Sequence, residues 1–415
     1  FYCNLIERYN LLQVHVSGSG RWFKNADVVT TILVLQKRDP SENRLPTTFW
    51  LWKKPLEAIS NNSDYEHTII ESSLLNESTD ESIIKCSKYS NIQIEQLHNM
   101  NISYNALFHD VLWLLEIQQV LIPLRNLFKV FRGSRRGWDA LFFPTDNNSI
   151  ESEFLHPALF NAKKLDELVA IPDRKAFSCG LDLDTLETNF KGAYKWIKKF
   201  ENQKNGTGKP LPEVLAKSKE KWYEMKPNEV AEIFTMMNPD KRIFFGRFNE
   251  PTFINQRLIG LRLLDNSSDV VLYHALLNSI LMKFFIEAVG FGRGLGVLDI
   301  NKDNVASCFM LNPARLSKHS VDLIKMSFMV ITEKPIMTVE EEMKDTDWIS
   351  FNHTVLSAFY IDSYYDRICN SLKSMRKARM TAKDKFEIKV SSSETYVKYH
   401  PSSDGLSMAA EPNDI

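Results

Sequence analysis

The sequence predicts a mixed fold, α/β and α+β, with several sheets and a helical C-terminal part. Two β-rich runs within residues 11–38 flank a glycine-bearing connection, the pattern of a hairpin. Residues 150–335 mix helix-like and strand-like pieces in no regular order, and residues 340–380 read as two helices. At 415 residues the chain can hold roughly two or three domains with sizeable cores.

Taken in order, the first run carries Leu11, Leu12, Val14 and Val16, and Ser17-Gly18-Ser19-Gly20 follows. Residues 21–27 then place Trp22 and Phe23 ahead of a second apolar run, residues 28–35. Aromatics in such a connection either close the base of the hairpin or stand out to stack on something flat. Pro40 and its polar neighbours end the pattern. Residues 44–105 read as a connector with a strand at 48–52 and scattered helix. A helix with one wet face is expected over about 105–122, ending near Pro123, with residues 125–131 able to continue as a separate strand.

Residues 125–145 change character. Arg125, Lys129, Arg132, Arg135 and Arg136 precede the first acid, Asp139, with Phe128, Phe131 and Trp138 interleaved. Gly133 and Gly137 bracket the Arg135-Arg136 pair. Further on, residues 191–199 are basic and amphipathic, and Ile243-Phe244-Phe245 reads as a buried strand flanked by Arg242 and Arg247, with Lys241 and Arg257 near. Leu276, Leu277, Ile280, Leu281, Phe284 and Phe285 recur at helical spacing. Residues 290–296 are glycine-rich around Arg293, but a helix precedes them and a strand follows, the reverse of a dinucleotide-binding turn. The C-terminal helices end in Lys373, Arg376, Lys377 and Arg379, and residues 391–415 are polar and expected to be disordered.

Several classes are disfavoured by what the sequence holds. The five cysteines are scattered, so neither a disulfide framework nor a zinc site is indicated, and no metal is expected. The net charge of −1 gives no global attraction to a polyanion, so a nucleic-acid surface has to come from local clustering. The longest apolar stretch, residues 106–124, contains His109, Asp110 and Glu116 and does not read as a membrane span. Cysteine usage suits the cytoplasm. The histidines lack HxxxH spacing, and neither a nucleophile elbow nor a P-loop is visible. Asp173 and the Glu387-Ile388-Lys389 triplet lie too far apart in sequence to suggest a nuclease centre.

Residues 11–38 and 125–143 together resemble the back portion of adenine-N6-specific DNA methyltransferases whose target-recognition domain follows the catalytic domain. The resemblance implies that residues 1–40 are the terminal hairpin of a Rossmann-like catalytic domain and 41–124 a connector. It makes 125–335 a mixed α+β recognition domain, 336–390 a helical segment and 391–415 a tail. It implies that Phe23 stacks on the flipped adenine while Trp22 stays structural. Arg132, Arg135, Arg136, Arg242, Arg247 and Arg293 become candidate DNA contacts, set against the plainer alternative of solvated surface arginines. The basic helices near 373–389 would add phosphate contacts.

The cofactor implied is S-adenosylmethionine, held by a part of the enzyme ahead of residue 1. The family's Asn/Asp-Pro-Pro-aromatic segment is not matched here: Asp240 follows Asn238-Pro239, and Ala314 follows Asn312-Pro313. No catalytic residue is therefore assigned within the chain, which is expected to be inactive alone. The expected partner is double-stranded DNA in a restriction–modification or phage-defence setting, with a nuclease domain or subunit elsewhere. The alternative is a non-catalytic specificity module serving a separate catalytic subunit.

Overall fold

The computed structural model describes residues 8–20, 22, 30–39, 41, 43–133, 137–145, 148–216, 221–225, 230–293 and 297–384. The first sheet contains β1 (Tyr9–Ser17), β2 (Thr31–Lys37), β3 (Thr47–Trp52) and β4 (Ile84–Tyr89) in the order β2-β1-β3-β4. The two opening runs pair antiparallel from Tyr9↔Lys37 to Val16↔Thr31, with one register shift between Leu11 and Gln13. The strand expected at 48–52 is β3, and it runs parallel to β1 in the same sheet. β3 is buried on both faces: Phe49 and Leu51 enter the main core, while Trp50 packs with Ile59, Ile69, Ile83 and Ile84 on the other side. That partition follows the two-residue period of a strand. Helix α1 (Ser63–Leu75) covers the Trp50 side. Asn62 caps its start through the amides of Asp64 and Tyr65, and Asn76 ends it at φ 56°.

The single helix expected over 105–122 is not formed. The chain makes a 3-10 turn (Tyr104–His109), a short α-turn (Trp113–Ile117), a second 3-10 turn (Gln118–Val120) and then strand β5 (Leu121–Pro123). Asp110 breaks the run at φ 55°, and its carbonyl accepts from Trp113 Nε1 (3.1 Å) and Ser371 Oγ (2.7 Å). Ala106 to His109 are buried, because the first sheet lies on one side of this turn and α-helices of the C-terminal half on the other, whereas Glu116, Gln118 and Gln119 remain exposed.

The second sheet contains β6 (Phe128–Arg132), β7 (Leu155–Leu159), β8 (Arg174–Phe177), β9 (Val230–Met236), β10 (Gly246–Ile254) and β11 (Leu258–Leu263), ordered β6-β11-β9-β10-β7-β8. Only the β10–β7 pairing is parallel. Between β8 and β9, helix α2 (Lys191–Glu201) packs Ala193, Ile197 and Phe200 into a second core with Phe142, Phe177 and Leu211. Ile243-Phe244-Phe245 is buried as expected but is not a strand. Its backbone is satisfied by side chains instead: Thr235 Oγ1 donates to the Phe244 carbonyl, Asn278 accepts from the Phe245 amide, and His274 and Asn278 donate to the Phe245 carbonyl.

The helical spacing over 276–285 is split into α3 (Val270–Leu277) and α4 (Ile280–Val289), bent by 62° where Ser279 caps the second helix through the Met282 amide. Among the described residues no single helix is long and apolar enough to cross a membrane. A short hairpin, β12 (Phe291–Arg293) and β13 (Val297–Asp299), follows, and β14 (Phe309–Leu311) pairs with β5. The C-terminal part is α5 (Lys318–Thr332), α6 (Thr346–Ala358) and α7 (Tyr365–Asp384): α5 packs on α6 and α3, and α7 on α4 and on the turn Tyr104–His109.

Candidate nucleic-acid interface

The end of β6 is where charge and tight backbone packing coincide. Gly133 donates its amide to the Leu258 carbonyl (2.9 Å), and a Cβ at this position would lie 2.0 Å from the Asn255 carbonyl oxygen. Only glycine lets turn 255–257 sit against the strand so closely. Arg132 Nε donates to the Gln256 carbonyl (2.8 Å), which holds the guanidinium at that turn. Arg257 is exposed, and its carbonyl accepts from the Met237 amide (3.1 Å). The Met237 carbonyl in turn accepts from the Ile300 amide (2.9 Å), and Asn238 Nδ2 bonds Asp299 Oδ1 (3.0 Å). The end of β6, turn 255–257, loop 237–241 and the β12–β13 hairpin therefore form one continuous edge. Arg132 and Arg257 lie on it, and Arg293 sits in β12 opposite Val297. Gln256 is uncharged, and loop 237–241 carries one charge of each sign, Asp240 and Lys241. Gln256 does not stand out in the sequence, because it organises the edge through its carbonyl.

Arg242 and Arg247 face other groups. Arg242 donates to the Leu165 carbonyl through Nη1 (2.8 Å) and to the Lys163 carbonyl through Nη2 (2.7 Å), closing the 3-10 turn Ala162–Lys164. Arg247 is half-buried, and burial lowers its pKa. Its backbone pairs with Leu168 and Ala170, and Nη1 donates to the Phe248 carbonyl (3.2 Å). Both arginines thus bind around segment 163–170 instead of the β6 edge. Phe23, Arg135 and Arg136 lie outside the described residues.

The C-terminal basic run divides. Lys373 and Lys377 are exposed, whereas Arg376 is buried and Arg379 is largely enclosed. Arg376 forms a fork on Glu340 (2.8 and 3.0 Å) and donates to the Lys241 carbonyl (2.9 Å). Arg379 forms a fork on Glu287 (2.5 and 3.0 Å) and reaches the Asp240 carbonyl (3.3 Å). These two arginines correct the expectation of phosphate contacts: they tie α7 to α4 and brace loop 237–241 from behind.

Beside the first hairpin, Trp22 packs edge-on against Trp52 (centroids 5.4 Å), and His15 stacks on Trp50 (5.9 Å, 8° between planes). Trp52 Nε1 donates to His15 Nδ1 (3.1 Å), which assigns the ring proton to Nε2, facing Gln13 Oε1 (3.1 Å). Burial pushes the His15 pKa down to about 4, so the ring is neutral near pH 7. Trp22 is thereby a packing residue of the sheet's aromatic wall. Among the described residues no group of His, Cys, Asp and Glu could hold a metal ion.

No protein-family model matches the chain, and no curated protein matches its sequence. Among solved structures, the chain is similar to the type IIG restriction endonuclease BpuSI at 13% identity and a TM-score of 0.48, over 91% of this chain and 44% of that one. It is also similar to a Type-I restriction-modification system S subunit from M. genitalium, at 12% identity and a TM-score of 0.27, over 51% and 38% of the two chains. The chain therefore spans less than half the length of the endonuclease.

Proposed function

We propose that this chain is the DNA-recognition portion of an S-adenosylmethionine-dependent adenine-N6 DNA methyltransferase of a restriction–modification or phage-defence system. The observation that carries the reading is the convergence of Arg132, Arg257 and the Arg293 hairpin on one backbone-welded edge of the second sheet. A guanidinium fork suits phosphate oxygens and the guanine major-groove edge alike. Support on a sheet edge, instead of on a long loop, fixes where such a fork points. The resemblance of residues 11–38 and 125–143 adds the catalytic context: S-adenosylmethionine is bound by another part of the enzyme, and Phe23 stacks on the extruded base. Arg135 and Arg136, which follow Gly133 in the sequence, stay candidate contacts on the resemblance alone.

Fluorescence anisotropy with a mixed-sequence DNA duplex over a series of salt concentrations tests the DNA reading. Binding weakens steeply with salt, and Arg132→Gln together with Arg257→Gln lowers the slope of log K against log salt by about 0.9 for each phosphate no longer neutralised. A chain that shows no salt-dependent duplex binding rules the reading out. In the complete enzyme, Phe23→Ala reduces methylation while duplex affinity stays near wild type, because one stacked base contributes roughly 1–3 kcal/mol only once it is out of the helix. Full methylation by that variant removes the role assigned to Phe23.

A further inference from the structure

Helix α2 presents a stripe that the packing of its core does not require. Lys191, Lys195 and Lys199 lie at i, i+4 and i+8 and are all exposed, while Gly192, Ala193, Ile197 and Phe200 on the opposite side are buried. The helix is rigidly seated. Glu151 accepts from the amides of Gly192 and Ala193 (2.8 Å each), and a Cβ on Gly192 would lie 1.8 Å from the Ser149 carbonyl oxygen. Trp196 Nε1 donates to the Leu141 carbonyl (3.0 Å), and Lys199 Nζ lies 5.0 Å from the Trp196 ring centroid. Leu141 belongs to the short helix Asp139–Phe142, which follows the segment leaving Arg132 and Gly133. The lysine stripe is thus fastened to the helix Asp139–Phe142, whose Leu141 lies eight residues along the sequence from Gly133. Lys198, beside the stripe, is neutralised by Glu201 (2.6 Å).

We infer that the Lys191–Lys195–Lys199 face of α2 is a second contact surface, one that binds the phosphate backbone of duplex DNA. The inference rests on the DNA-recognition reading above and adds to it a site with a different task, grip without sequence reading. The charge argument is local, since the chain as a whole carries a net charge of −1. The dimensions agree as well. Eight residues of helix rise about 12 Å, and one DNA strand presents a phosphate about every 3.4 Å of axis. The stripe therefore spans roughly three to four phosphates. Ammonium groups suit this task, being point charges on flexible stems that follow a backbone without needing base geometry.

The test is the triple variant Lys191→Gln, Lys195→Gln, Lys199→Gln, read by anisotropy on a mixed-sequence duplex across salt concentrations. Glutamine keeps the helix propensity and leaves the buried face intact, so the thermal midpoint stays within a few degrees of wild type. The salt slope falls by about 2 to 3 in log–log units if each lysine neutralises one phosphate. A lysine face that served only to keep the helix in water would leave the slope unchanged, and that result overturns the inference. Measuring Arg132→Gln with Arg257→Gln in parallel separates the two ideas. A reduced slope in the arginine pair alone keeps the recognition edge and rejects the lysine surface. A reduced slope in the lysine variant alone does the reverse. A wild-type chain that does not bind the duplex rejects both.

Discussion

Glu287→Ala destabilises the chain by about 3–5 kcal/mol, read as a lower urea midpoint at an unchanged m-value. Glu287 sits on α4 and is buried. It receives the Arg379 fork at 2.5 and 3.0 Å, and Arg376 Nη1 approaches it at 3.6 Å. Nearby, Lys283 pairs with Glu342 and lies 3.9 Å from the Trp348 ring centroid. Three cations and three carboxylates, Glu340 completing the set, are thus interleaved across α4, the turn at 339–342 and α7. Charges taken out of water are tolerated only while paired. Removing Glu287 costs Arg379 both carboxylate bonds and leaves Arg376 with Glu340 alone on the carboxylate side.

The control is Glu340→Gln, at a half-exposed carboxylate with solvent close by. Its cost is expected near 1 kcal/mol, since an exposed partner is readily replaced by water. If Glu287→Ala proved as mild as that control, the network would not be what holds α7 in place. The same variant has a functional readout. Arg376 and Arg379 also bind the carbonyls of Lys241 and Asp240, in the loop that supports turn 255–257. Loosening α7 is therefore expected to blur the arginine edge and to weaken duplex binding before the chain unfolds.

This network shows why only part of the structure is legible in the sequence. The β1–β2 pairing and β3 are visible, because alternating apolar residues and a Gly-Ser connection are local signals. β4, Ile84–Tyr89, is not visible: its residues include two lysines and a serine, and it is a strand because β3 offers it an edge. Residues 104–123 mislead for a different reason. Their apolar residues and their few polar ones, Glu116, Gln118 and Gln119, fit a one-faced helix, but Asp110 turns the chain at φ 55° where Trp113 and Ser371 bond its carbonyl. Ile243-Phe244-Phe245 has the composition of a strand, but Thr235, His274 and Asn278, distant in sequence, satisfy its backbone in place of a ladder. The arginines are the sharpest case. A sequence shows a cation, not what it faces. Arg132 stays at an exposed turn, Arg242 closes a turn through two carbonyls, and Arg376 is interior. Basic runs read alike until the carboxylates of other elements are placed around them.

Acidification from pH 7 to pH 5 lowers the stability of the folded chain by several kcal/mol, a loss that three buried histidines cause and one buried glutamate partly offsets. His109 and His274 are held neutral with pKa values near 3, in both cases chiefly by burial. His109 faces Ser374 Oγ (2.8 Å) and feels the charge of Lys85. His274 bonds the Phe245 carbonyl through Nε2 (2.8 Å) and packs edge-on to Phe328, with Arg247 opposing a second positive charge. His15 lies at about 4 for the same reason, burial. Each of the three has a folded pKa below its unfolded value near 6.5, so between the two values the unfolded chain takes up a proton that the folded chain refuses. Their contribution is fully present above pH 6.5 and is lost as pH falls, at about 2 kcal/mol per histidine by pH 5.

Glu342 works in the opposite sense. Burial raises its pKa to about 7 against the pull of Lys283 and Arg376, so the folded chain keeps a proton that the unfolded chain releases above about 4.5. That works against the histidine loss between pH 7 and pH 5. Carboxylates with lowered pKa values, such as Asp345 under its hydrogen bonds from Lys334, act only below their unfolded value near 4 and leave this window clear. Urea midpoints at pH 7, 6 and 5 measure the sum, and His274→Gln, which cannot titrate, removes about 2 kcal/mol of the pH dependence whatever it costs in packing. A stability that stays level or rises between pH 7 and pH 5 would mean that these imidazoles are hydrated in the folded chain, and with them the enclosed junction between Phe245, α3 and α5 would have to open to water.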